Sequence, residues 1–208
     1  MGLEQTLCGE CMKEPPSFEK ASAYGSYVGG LRDLIHLLKY DRVMPAAKVL
    51  GRMLAEAVTD LVPGFGTFPP LVVPVPLHPN KLRQRGFNQS QAIAQAAAKV
   101  ADVRLELAPE LLSRKRETES QTGLTRQQRV ANLQGAFRSK DRIAGRDVLL
   151  VDDVFTTGTT ASECARVLRR AGAGKVWVAT VARVLKSEPT FAHVEETEER
   201  GLAAIAGR

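Results

Sequence analysis

Two adjacent carboxylates, Asp152 and Asp153, stand two residues ahead of a run of hydroxyls around one glycine, Thr156-Thr157-Gly158-Thr159-Thr160. These are the residues of the chain whose types and spacing best suit a chemical task. The acids follow the apolar run Val148-Leu149-Leu150-Val151, which reads as a strand buried on both faces. After the threonines, Ala161, Cys164, Ala165 and Leu168 fall on one small apolar helical face, and Gly172 and Gly174 close that helix. Thr160 and Glu163 have the spacing of a capping box at its start. A second apolar run, Val176 to Val184, suits a neighbouring parallel strand, so the whole is one strand–loop–helix–strand unit.

The chemistry follows from that order. A helix start exposes unpaired N–H groups and about half a positive charge, which favours a phosphate. Gly158 lets the backbone approach the anion, and the threonine hydroxyls add donors. Asp152 and Asp153 repel a phosphate and suit neutral hydroxyls, such as a ribose diol, or a hydrated Mg2+ beside them. An acidic pair followed by a phosphate cradle fits a ribose 5-phosphate. No Gly-Lys-Ser/Thr follows the glycine, which excludes a Walker A loop. A receiver domain has no use for the threonines, and the bland alternative is a polar turn into a capped helix.

A second unit repeats the plan with the opposite charge. Leu71-Val72-Val73-Pro74-Val75-Pro76-Leu77 reads as a strand whose prolines predict a turn or a cis bond at a functional edge. Lys81, Arg83 and Arg85 follow, and Asn88 with Gln91 caps a helix carrying Ala92, Ile93, Ala96, Ala97 and Val100. A cationic loop of this kind suits pyrophosphate or a nucleic-acid backbone. Arg114 and Arg116 lie in a basic strand running from Leu111 into a polar loop up to Thr122, a hairpin able to close over a ligand. Its plain reading is an exposed charged edge. Leu124 to Val130 reads as a short basic helix and Gly135-Ala136-Phe137 as a short strand.

Upstream, Leu31, Leu34, Ile35 and Leu38 share one helical face with Arg32, Asp33 and Lys39 placed away from it. Pro45 opens a longer helix with Val49, Leu50, Met53, Leu54, Ala57 and Leu61. The expected organisation is an N-terminal segment over 1–28, a helical cap over 29–61 and a sheet domain over 71–190. A loop rich in Gly and Pro over 62–70 links the last two, and an acidic, disordered tail covers 191–208. Trp177 is expected in the core. Cys8-Gly9-Glu10-Cys11 has the spacing of half a tetrahedral zinc site, with no second pair. His36 could add a ligand but reads as structural.

At 208 residues and 44% hydrophobic the chain is long enough for one α/β domain. No stretch is apolar enough to span a bilayer, no membrane insertion is expected, and three cysteines argue against a disulfide framework, which together place the protein in the cytoplasm. Of the 29 Lys/Arg, 14 lie between residues 78 and 146, against 6 of the 23 Asp/Glu. That concentration favours a polyanionic ligand or nucleic acid. Phe87 is the only aromatic residue between 78 and 136, which counts against strong base stacking on single-stranded DNA.

The stretch Val151 to Thr160 resembles the phosphoribosyl pyrophosphate (PRPP) signature of type I phosphoribosyltransferases. Leu34-Ile35-His36-Leu37-Leu38-Lys39-Tyr40, Val73 to Pro79, Arg83 to Gln89, Arg129 to Phe137 and the Asp152 loop together resemble the ComF family of competence-associated proteins. The resemblance implies an α/β fold, a type I phosphoribosyltransferase-like parallel sheet flanked by helices. It also implies that Cys8 and Cys11 correspond to the second pair of an N-terminal zinc ribbon, an incomplete Zn2+ site. PRPP would then bind with its 5-phosphate on Thr156, Thr157, Gly158, Thr159 and Thr160. Asp152 and Asp153 would serve as catalytic acids, holding the ribose hydroxyls and orienting Mg2+. Lys81, Arg83, Arg85, Arg114 and Arg116 would face the pyrophosphate. The implied activity is phosphoribosyl transfer to an unidentified acceptor, linked to competence and DNA uptake or to nucleotide metabolism. The alternative is a module that senses PRPP or a nucleotide, or binds single-stranded DNA beside a competence helicase. Some purine-using relatives carry an aspartate where this chain has Thr156, so no general base is evident here.

Overall fold

A computed structural model of the chain describes residues 11–12, 15–116 and 126–185. Its centre is a five-stranded sheet in the order β1-β7-β6-β2-β3, with every neighbour parallel. The strands are β1 (Ala21–Ser26), β2 (Leu71–Pro74), β3 (Glu106–Leu107), β6 (Val148–Phe155) and β7 (Val176–Arg183). A two-stranded antiparallel ribbon, β4 (Leu112–Arg114) with β5 (Phe137–Ser139), stands apart from it. Leu111 to Arg116 supplies only the short strand β4, and Glu117 to Thr122 lie outside the described residues. All described peptide bonds are trans, so the chain leaves Pro74 through an ordinary turn.

The central strand is β6, and the residues Val148 to Val151 are fully buried. Alternate side chains on β6 meet two helical layers, as strand geometry requires. On one face Leu149 and Val151 pack with α1 (Gly29–Lys39), α2 (Pro45–Thr59) and α4 (Gln89–Ala97), through Ile35, Leu38, Leu50, Leu54 and Ile93. On the other, Val148 and Leu150 pack against Cys164 and Leu168 of α6 (Thr159–Arg170), with Leu133 of α5 (Arg126–Leu133) in the same cluster. Each fully buried leucine contributes about 1.5–3 kcal/mol, so the sheet is held rigidly between two apolar layers.

Several elements differ from the sequence reading for physical reasons. β1, read only as part of an N-terminal segment, is an edge strand paired with β7 from Ala21↔Val178 to Ser26↔Arg183. The 62–70 stretch is a loop opened by a 3-10 turn at Val62–Gly64, with Phe68 exposed and Phe65 set edge-on against the Trp177 ring at 6.0 Å. Trp177 itself is buried. The Thr160–Glu163 capping box does not form, because α6 begins two residues earlier. Gly158 is its N-cap, and the Glu163 carboxylate instead accepts from the Gly135 N–H (3.1 Å) and pairs with Arg166. α2 crosses α4 closely enough that a Cβ on Gly51 would lie 2.4 Å from Ala96 Cβ. That tight crossing lies at the C-terminal end of α4 and depends on glycine at position 51. The tail 191–208, Cys8 and residues 1–10 lie outside the described residues. No helix among the described residues is long and apolar enough to cross a membrane.

Candidate functional site

Because all five strands run the same way, the carboxyl ends of β2 and β6 open on one edge of the sheet, where α/β folds place their ligands. Asp152 and Asp153 occupy that edge. As neighbours on a strand they have different surroundings. Asp152 keeps some solvent contact, and its Oδ1 accepts from Ser90 Oγ (2.9 Å) and from the Asp153 N–H (3.0 Å). Asp153 is 5% exposed and forms an ion pair through Oδ2 with Nζ of Lys39, the last residue of α1.

Burial first, and then the charge of Asp153, pushes the Asp152 carboxyl up to about 7. Lys39 and the Ser90 hydroxyl oppose that shift. For Lys39 burial favours the neutral amine, but the attraction and hydrogen bond of Asp153, helped by Asp152, outweigh it and raise its pKa. The lysine therefore stays charged between the helices and the acid pair.

Ser90 is fully buried at the second residue of α4. It is held there by Asn88, whose side chain accepts from the N–H groups of Ser90 (3.0 Å) and Gln91 (3.4 Å) and donates to the Val75 carbonyl (3.0 Å). One asparagine thus ties the end of β2 to the start of α4, and α4 to Asp152.

The basic segment forms α3 (Pro79–Arg85), entered through His78, whose Nδ1 accepts from the Asn80 N–H, and left through Gly86. Arg85 donates to Gln89 Oε1 (2.5 Å) and lies over the Tyr40 ring at 5.8 Å. Arg42 donates to the Gln84 carbonyl (2.8 Å), so the chain just after α1 is docked on α3. Partial burial, then the charges of Arg85, Arg114 and Lys39, lower the Lys81 pKa, with Asp153 opposing. Lys81 is therefore close enough to Arg85, Arg114 and Lys39 to feel each of them. Arg114 also rests on the Phe137 ring at 5.5 Å. The other two candidates are turned to local tasks. Arg83 donates to Asn80 of its own helix (2.5 Å), and Arg116 donates to the carbonyls of Asn132 (2.7 Å) and Gln134 (3.0 Å).

Between the acids and α6, Thr156 is exposed, and the Thr157 and Thr159 hydroxyls are 2.9 Å apart. Gly158 has φ 74° and, as the N-cap of α6, brings no capping side chain of its own. Among the described residues no three His, Cys, Asp or Glu are grouped to hold a metal. The hard oxygens of Asp152 and Asp153 do suit a Mg2+ that arrives on phosphate oxygens and keeps several waters.

Lys39 and Ser90 are the site residues that the sequence reading missed. The signal was present for both. Lys39 is four residues beyond Ile35, on the buried side of α1, and Ser90 is three and four residues before Ile93 and Ala94 on the buried stripe of α4. A polar residue on a buried helical stripe needs a partner, and both find it in the acid pair.

A model of the phosphoribosyl transferase domain matches residues 88–195, which include Ser90, the acid pair and the threonine loop. The "DNA utilization protein YhgH" of Escherichia coli K12 is 35% identical over 179 residues, 86% of this chain and 78% of that protein. "Competence protein F" of Haemophilus influenzae is 34% identical over 85% of this chain and 78% of its own length. Among solved structures, a phosphoribosyltransferase from Corynebacterium diphtheriae aligns over 74% of this chain and 82% of its own, with 22% identity and a TM-score of 0.40. On its domain match and its similarity to these competence and DNA-utilization proteins, the chain belongs to the ComF family within the type I phosphoribosyltransferase superfamily.

Proposed function

We propose that this chain binds Mg2+-PRPP across the carboxyl ends of β2 and β6 and transfers its phosphoribosyl group to an acceptor nucleophile. The observation that carries the reading is the charge order around one sheet edge. A basic group of Lys81 with Arg85 and Arg114, a carboxylate pair, and a helix start with glycine at its N-cap follow one another. PRPP presents a pyrophosphate, a diol and a monophosphate in that same order.

The N–H groups at the start of α6, with Thr157 and Thr159, hold the 5-phosphate, and Gly158 lets the backbone come close. Asp152, presented by Ser90, accepts from the ribose hydroxyls alongside Asp153. Lys81, Arg85 and Arg114 take the pyrophosphate, with Arg83 and Arg116 at greater remove. In transfer the bond between the ribose C1 and the pyrophosphate oxygen breaks, and its electron pair leaves with pyrophosphate. The acceptor's lone pair forms the new bond to C1. Between the two, C1 carries positive charge that the neighbouring carboxylates stabilise. Asp152 and Asp153 would hold a Mg2+ arriving with the ligand, and the metal would supply charge neutralisation on the leaving pyrophosphate. Thr156 cannot remove a proton at neutral pH, so the acceptor attacks already ionised or gives its proton to another group.

Calorimetric titration of Mg2+-PRPP into wild type and Asp152→Asn tests the binding step. A loss of about tenfold or more is expected, from hydrogen bonds to a charged group of about 1.5–3 kcal/mol. Equal affinity in the two proteins refutes the reading. Pyrophosphate release measured across a panel of bases and amines tests transfer, and uptake without any release assigns the chain as a PRPP sensor instead.

A further inference from the structure

Helix α1 ends inside the candidate site. Lys39 Nζ is paired with Asp153 Oδ2, and the two side chains are only 16% and 7% exposed. The residues just after it are fixed independently, Tyr40 under the Arg85 guanidinium and Arg42 on the Gln84 carbonyl. The ammonium is therefore delivered to the acids by a docked segment, not by a free surface side chain. Lys81 stands near enough to feel Asp153 together with the charges of Arg85, Arg114 and Lys39. Cations thus outnumber carboxylates at this edge, and no third acidic or imidazole ligand joins the acid pair among the described residues.

We infer that Lys39 is a built-in counterion that keeps a free divalent cation off the acid pair, so that the metal can enter only as part of an anionic phosphate complex. Coulomb's law fixes the direction. A naked divalent ion meets a net positive cluster and must displace a buried lysine from Asp153, leaving that lysine without its partner. A metal–pyrophosphate complex carries net negative charge and is drawn in by Lys81, Arg85 and Arg114. Lys39 is thus a specificity-determining residue: it sets the order of arrival and makes the resting protein indifferent to cellular Mg2+. The statement about order rests on the reading of the site as one for Mg2+-PRPP. The statement about exclusion of the free metal does not.

The test uses Mn2+ alone, followed by electron paramagnetic resonance and calorimetry, on the full chain. Wild type and Lys39→Arg should take up Mn2+ weakly, whereas Lys39→Met should bind it at least tenfold more tightly. Adding Asp152→Asn to Lys39→Met should abolish the gain. A purely structural lysine would lower the melting temperature when replaced but would not create a metal site, so unchanged Mn2+ affinity in folded Lys39→Met overturns the inference. Should Lys39→Met fail to fold, the wild type decides. Saturable Mn2+ uptake by wild type that Asp152→Asn abolishes overturns the inference, and a melting temperature indifferent to millimolar Mn2+ supports it. A separate arm with Mg2+-PRPP reads the functional assignment. Failure of that arm removes PRPP as the ligand and leaves the Mn2+ comparison standing.

Discussion

Replacing Gly158 by alanine tests the turn that joins the acid pair to α6. Two costs can be worked from the geometry. The backbone is left-handed, with φ 74°, and an L side chain there costs about 1–2 kcal/mol. The added Cβ would also lie 2.7 Å from Phe155 Cζ, and 3.3 and 3.4 Å from its two Cε atoms. The ring cannot simply swing away. It sits edge-to-face with Phe18 at 6.1 Å, and the Arg183 guanidinium lies over it at 5.4 Å. Overpacking of this kind costs about 1–3 kcal/mol, so the sum is about 2–5 kcal/mol against a total stability of about 5–15 kcal/mol.

Urea denaturation reads that loss as a lower midpoint at unchanged slope. Combining Gly158→Ala with Phe155→Leu separates the two costs. The smaller side chain removes the clash but not the backbone strain, so the double variant should be less destabilised than the sum of the singles by about 1–3 kcal/mol. A single variant within about 0.5 kcal/mol of wild type would refute both the strain and the contact. Strict additivity would refute the contact alone.

Three further outcomes follow from the same geometry. Ser90→Ala removes the hydroxyl that donates to Asp152 Oδ1 and should weaken Mg2+-PRPP binding about tenfold in a calorimetric titration, with an unchanged circular dichroism spectrum. Asn88→Ala uncaps α4 and should cost about 0.5–2 kcal/mol in urea denaturation, with ligand affinity falling because Ser90 is displaced. The Asp152 carboxyl is raised from the ordinary aspartate value to about 7, so the folded state holds a proton that the unfolded chain has released. Its contribution to stability is complete below the unfolded value and is lost as pH rises through about 7. Thermal melts from pH 4 to 8 should fall with pH in wild type more than in Asp152→Asn, while PRPP affinity rises over the upper part of that window as the carboxylate ionises. A ligand affinity flat from pH 6 to 8 would contradict the role given to Asp152.

The unit from β6 through α6 to β7 was legible because each of its signals is local. An unbroken apolar run, a glycine at a turn and a helical stripe ending at two glycines each need only near neighbours in sequence. The cap of α4 at Asn88 was legible for the same reason. β1 was not legible. Ala-Ser-Ala-Tyr-Gly-Ser has neither a strong apolar run nor clean alternation, and it is a strand because β7 offers it an open edge. The failed capping box shows the converse: Thr160 and Glu163 match the pattern, but a distant backbone N–H, that of Gly135, takes the glutamate.

Lys39 shows how a site residue can be misread even where the pattern holds it. Assigning a long cation to the solvent face of a helix is the right default, since an isolated buried ammonium costs several kcal/mol. The default fails when a carboxylate more than a hundred residues away is brought to the same place, and only the tertiary pairing of α1 with the end of β6 reveals that. The acid pair posed the complementary problem. Two strong acids side by side on a buried strand end would repel each other and raise their own pKa values, so the motif alone demands a cation. Read strictly, that demand is met from within the chain by Lys39 before any metal is invoked. The same electrostatic argument that identifies the carboxylates as a site therefore also says that their resting counterion must be displaced or shared when a ligand arrives.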